Sequence, residues 1–148
     1  MAIYSLSRSS VTMNTSNDML TVLAGASRKL KVLDLIIGGT GATSAAAAYC
    51  EVGIFLSTGG TTGGGALTPK KWETDEPTQT FTNFTTWSAQ PTTSGDPYYR
   101  FVFNNYGGVL GKPIKPIGDL IIRNSEQLSI RPVSGTSVVT FTLVVDEL

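Results

Sequence analysis

The chain has 148 residues, eleven of them basic and eleven acidic, for a formal net charge of zero, and only 15% of it is charged against roughly 25% in typical soluble domains. It contains no histidine and a single cysteine, so the commonest general base, the commonest metal ligand and any internal disulfide are excluded together. A grip on nucleic acid needs concentrated Lys and Arg, whereas here Lys70 and Lys71 are answered at once by Glu73, Asp75 and Glu76.

This length suits one domain, residues 1–148, with one core. Short β-like runs punctuated by turn signals recur along it, which predicts an all-β fold, an antiparallel β-sandwich of eight or nine strands without a long helix. The first runs are Ile3 to Leu6 and Ser10 to Met13. Ser16, Asn17 and Asp18 then turn the chain into Met19 to Leu23. Lys29 to Ile37 is nearly continuous in apolar residues and reads as a central strand covered on both faces.

Gly38 to Gly41 breaks that run, and the Ala-rich stretch Ser44 to Ala48 leads toward a strand whose Val52, Ile54 and Leu56 share one face. Cys50 at its start reads as a buried, inert thiol. The Gly/Thr-rich segment at about 58–78 is too poor in apolar groups to fold alone and reads as a binding loop or a segment ordered by a neighbour. Phe81 to Trp87 and Tyr98 to Phe103 supply aromatic-rich strands. The stretch at about 107–118, with Pro113 and Pro116, reads as an extended crossover along a sheet edge, because each proline removes a donor and disfavours helix. Short strands at Asp119 to Ile122 and Gln127 to Arg131 precede the β-branched run Ser137 to Val145, which reads as a strand locked into a sheet.

The motifs that carry chemistry fall short. Gly59 to Gly65 lacks the Lys-Ser/Thr pair and the following helix of a phosphate cradle. Glu73, Asp75, Glu76 and Asp96 offer oxygen ligands for calcium, or paired carboxylates for glycoside hydrolysis, but at a spacing that matches no loop motif. Serine nucleophiles have no histidine to activate them. The composition therefore predicts no catalytic residue, no metal and no cofactor. It also shows no membrane span and no secretion signal. Trp72, Trp87, Tyr98 and Tyr99 are flat amphipathic rings suited to a protein or sugar partner, and Trp72, set between Lys71 and Glu73 in the long loop, is the one placed outside the core.

In order along the chain, Leu33 to Gly38, Glu51 to Leu56, a Gly/Ser/Thr linker into Ala66-Leu67-Thr68-Pro69-Lys70, Pro113 and Pro116, Asn124 to Arg131, and a last strand closing on Asp146-Glu147-Leu148 resemble a family of small phage-encoded jelly-roll proteins that coat or cement icosahedral heads. The chain departs from that family in carrying Lys70-Lys71-Trp72 where more proline and acid is common. The resemblance implies a jelly-roll sandwich, a virion protein on the outer capsid surface assembled in the host cytoplasm, and a homo-oligomer, a trimer, that bridges neighbouring copies of the major capsid protein. Candidate contact elements are the N-terminal segment Ala2 to Leu6, the loop Thr58 to Thr78 and the crossover Gly107 to Pro116, with Ile3, Tyr4, Leu67, Trp72, Val109 and Ile114 as candidate contact residues. A terminal arm can add itself to a neighbour's sheet edge through backbone hydrogen bonds. The competing readings are a phage tail or fibre component of the same fold, or a carbohydrate-binding sandwich that exposes Trp87 or Tyr98 on a flat face.

Overall fold

The computed structural model describes residues 2–39, 49–60, 65–105 and 119–148, together with the backbone of 109–113. Among these residues there is no helix, and the strands form two antiparallel sheets packed as a sandwich. The strands are β1 (Ala2–Thr12), β2 (Leu20–Leu23), β3 (Leu30–Gly39), β4 (Tyr49–Thr58), β5 (Lys70–Lys71), β6 (Thr82–Phe84), β7 (Thr92–Thr93), β8 (Tyr99–Asn104), β9 (Val109–Pro113), β10 (Leu120–Ile122), β11 (Gln127–Ser134) and β12 (Val138–Glu147). The first sheet, here sheet A, runs β10-β3-β12-β1-β5 with β9 also on β3. The second, sheet B, runs β6-β2-β11-β4-β7 with β8 also on β4.

The pairings nest. β1 pairs β12, β2 pairs β11, β3 pairs β10 and β4 pairs β8, each antiparallel, and successive pairs alternate between sheets A and B.

Alternation along each strand supplies that core. Tyr4, Leu6, Leu35, Ile37, Phe141 and Leu143 from sheet A meet Val22, Ile54, Phe101, Leu128 and Ile130 from sheet B, all of them buried. Each large apolar side chain so buried contributes about 1.5–3 kcal/mol. Tyr4 and Phe81 close one end edge to face, with ring centroids 5.4 Å apart.

The structure departs from several of these expectations. The two runs predicted at the N-terminus are one strand, β1, carrying a bulge between Arg8 and Val11 where Ser10 takes a positive φ of 54°. β3 is central in its sheet, held between β12 on one side and β9 and β10 on the other, but it is covered on one face only. Ile36 is 37% exposed, since among the described residues no layer lies over the outer side of sheet A there. Among the described residues the strands number twelve rather than eight or nine, the additions being the two-residue β5 and β7 and the crossover strand β9. The crossover residues 109–113 form β9, paired from Asp34↔Pro113 to Gly38↔Val109, while Ser44 to Ala48 lie outside the described residues. Pro132 sits within β11 next to a register shift before Ser134, the place in a ladder where a missing donor is tolerated.

Candidate functional site

Within the loop expected to meet a partner, the segment from Lys70 to Pro77 is strapped to the body of its own chain. Lys70 and Lys71 pair with Ser5 and Tyr4 as β5, and the Trp72 amide donates to Ile3 O at 3.1 Å. The Ile3 amide donates to Glu76 Oε1 at 2.7 Å, and the Tyr4 hydroxyl donates to Pro77 O at 2.5 Å. Glu147, fully buried at the end of β12, then accepts from the Thr80 amide at 3.0 Å, the Thr80 hydroxyl at 2.5 Å and the Phe81 amide at 3.2 Å. Asp146 accepts from the Ala2 amide at 3.1 Å. Residues 70–81 therefore cover the outer edge of β1 at its start.

This geometry corrects the N-terminal expectation. Ala2 to Leu6 is no free arm, since β12 and β5 flank it and Ala2, Tyr4 and Leu6 are 0% exposed. Tyr4 was a candidate contact residue, yet its side chain lies inside the sandwich because the inward phase of β1 falls on it. Ile3 is half-buried, and Leu67 is half-buried against the core, with its amide and carbonyl both held by the Asn83 side chain at 2.7 and 3.0 Å. Trp72 is 63% exposed, as its position between charged neighbours predicts. Val109 stands opposite Gly38 in β9, and Ile114 lies outside the described residues.

The acidic candidates do not converge. Glu73 and Asp75 face solvent on the strap, Glu76 is committed to Ile3, and Asp96 pairs at 3.5 Å with Arg100 on the other sheet. Among the described residues no group of three or more His, Cys, Asp or Glu is placed to hold a metal ion. Phe81 and Phe101 are core, Trp87 is half-buried and Tyr98 is exposed, so the aromatic residues are divided between interior and surface rather than spread on one flat face.

Other surface features carried little sequence signal. Tyr49 is 77% exposed and Val102 is 56% exposed, and the β4/β8 register places them diagonally on the outer face of sheet B. Beside them Arg100 pairs with Glu51 at 2.7 Å. Further along the same outer face, Asp18 is buried and accepts from the Thr21 hydroxyl at 2.8 Å, from Ser129 and from Arg131 Nε at 2.5 Å. Arg131 also donates to Pro91 O at 2.7 Å, which holds the segment around Pro91 over this part of the sheet. A cleft of about 290 Å³ opens next to this network, with Arg8, Asn17, Thr85, Trp87 and Gln90 among its walls. Alternation could have flagged Arg8, because it is the fourth member of the inward series Ala2, Tyr4, Leu6.

No family model, no curated protein and no solved structure matches the chain.

Proposed function

We propose that the chain is a structural virion protein that decorates or cements a phage head, bridging copies of the major capsid protein from the outer surface as a homotrimer. The observation that carries this reading is the nested pairing of β1 with β12, β2 with β11, β3 with β10 and β4 with β8 across two sheets. That order is the one expected of a jelly roll, an architecture recurrent in capsid proteins. It supports the resemblance read from the sequence, although a fold alone does not fix a role.

The surface supports it further. Few charges, with large exposed side chains at Trp72 on the strap and at Tyr49 and Val102 on the outer face of sheet B, suit surfaces that become covered by neighbours. A cement protein acts by adding buried area between subunits and by attaching at several points, which turns modest contacts into high avidity. Such a role requires no reaction, and the buried acids Asp18 and Glu147 serve as internal struts.

The test is addition of the purified protein to heads of its own phage stripped of it, followed by co-sedimentation and thermal challenge. Saturable binding at a fixed ratio to the major capsid subunit, with heads surviving a higher temperature, is expected. W72A should weaken that binding by about tenfold or more, as expected for an exposed aromatic anchor. Binding to tails instead of heads would assign the fibre reading, and binding to neither would refute both.

A further inference from the structure

Arg8 carries a charge into the sandwich that no carboxylate among the described residues pairs. The inward phase of β1 places its guanidinium at the open end of the core. Nη1 donates to Met19 O at 2.5 Å and to Thr85 O at 3.3 Å. Among the described residues it forms no salt bridge, and both of these hydrogen bonds run from Nη1. Burial alone pulls its pKa down, with no neighbouring charge to hold it up. Arg131 and Arg100, by contrast, each have an acid at 2.5–2.7 Å.

The cleft beside Arg8 is rich in unspent donors. Trp87 forms part of its wall, and the indole Nε1 is buried without an acceptor. Gln90 Oε1 already accepts from the Asp18 amide at 2.8 Å, which leaves the Gln90 amide nitrogen for another partner. Asp18 also borders the cleft, but its carboxylate is taken up by Thr21, Ser129 and Arg131.

We propose that this cleft binds a carboxylate, paired with the Arg8 guanidinium and assisted by the neutral donors of Trp87 and Gln90. A carboxylate fits better than a phosphate because one guanidinium fork matches its planar pair of oxygens and its single charge. A phosphate would bring two charges on one group up to the guanidinium and close to Asp18, whereas each carboxylate brings one. At about 290 Å³ the cleft is at the small end of ligand sites, roughly 300–1,000 Å³, and suits a short organic acid or one acidic side chain of another chain. This inference stands apart from the capsid reading and does not depend on it.

The experiment is a titration of ¹⁵N-labelled protein with sodium glutarate at constant ionic strength, following the indole signals of Trp72 and Trp87, assigned through W72F. A second titration uses an acetylated tetraglutamate peptide. The Trp87 signal is expected to move and saturate while that of Trp72 stays in place. Saturation at lower peptide concentration assigns the site to an acidic segment of a partner chain. Saturation at equal or lower glutarate concentration assigns it to a small acid. R8Q should abolish saturation. Should R8Q fail to fold, W87F, which keeps most of the aromatic bulk and loses the N–H, should weaken glutarate by about threefold or more, as loss of one hydrogen bond predicts, read on the backbone amides of residues 85–90. A Trp87 signal that saturates with neither probe, or that follows sodium chloride equally well, overturns the proposal. So does unchanged affinity in folded R8Q or W87F.

Discussion

Arg131 Nε lies 2.5 Å from Asp18 Oδ1, tying together two residues 113 positions apart on the outer face of sheet B. The Asp18 side chain has no exposed surface, and that of Arg131 only 15%. Thr21 and Ser129 fill the remaining acceptor sites of the carboxylate, so the charge enters the fold fully hydrogen-bonded.

Removing the acid should therefore be costly. D18A leaves Arg131 without its counter-charge, and breaking one partner of a buried pair costs about 3–5 kcal/mol. For a domain of this size each kcal/mol lowers Tm by roughly 2–4 °C. A thermal melt should show a fall of about 6–20 °C on that arithmetic, and a melt within 2 °C of the parent, well under that expected fall, would show that the pair contributes little.

The strap depends on Glu147. E147A removes the acceptor for two amides and a hydroxyl at Thr80 and Phe81 and should cost about 1–3 kcal/mol through the donors left behind. Hydrogen exchange at Trp72, Thr80 and Phe81 should accelerate far more than at Val22 or Ile130. Y4F, which removes only the bond to Pro77 O, should give a weaker version of the same pattern, about 0.5–1.5 kcal/mol. Uniform acceleration across both sheets would mean that the strap does not open as a unit.

Alkaline pH should weaken the fold through two buried groups. Burial, chiefly, and then the nearby Glu147 and Glu76 push the Tyr4 phenol above its ordinary 10.0, and burial pushes the Cys50 thiol above 9.0 against a hydrogen bond with Ser137. Both hold their protons more tightly folded than unfolded. Their stabilising contribution is complete below the unfolded values and is lost as pH rises through the folded ones. Tm should fall between about pH 9 and 11 in the parent, and Y4F with C50A should flatten that fall. Native Cys50 should also resist alkylation at pH 8 and react once the protein is unfolded.

Gly39 marks a close approach of two segments. A Cβ there would lie 2.5 Å from the backbone oxygen of Asn105, which cannot swing aside as a side chain could. G39A should cost about 1–3 kcal/mol by overpacking. G95A is the comparison, since the space around Gly95 is open and only its φ of 65° opposes a side chain. Urea midpoints that rank G39A as the more stable of the two would contradict this packing.

The sandwich was legible where one face is buried and the other is wet. β4 shows Val52, Ile54 and Leu56 in phase, and in β12 the inward Val139, Phe141 and Leu143 alternate with Thr140 and Thr142. What stayed hidden depends on partners distant in sequence. Lys70-Lys71 has no β preference of its own, and its pairing with Tyr4 and Ser5 follows from anchors such as Glu147, 67 residues beyond Thr80. Ser7 to Ser9 read as a break between strands because the bulge after Arg8 has no hydrophobic signature. The apolar run of β3 pointed to cover on both faces, but an apolar residue such as Ile36 can stay exposed when no second layer exists. The Asp18 network could not be read at all, since each member alone is an ordinary turn or strand residue.

The most direct test of the proposed role is a reconstruction of the native phage particle at a resolution that traces chains. It should show this sandwich on the outer head surface, in trimers seated across major capsid subunits, with Trp72 and the strap of residues 70–81 against a neighbour. A head surface without this chain, or its density found only in the tail, would contradict the account.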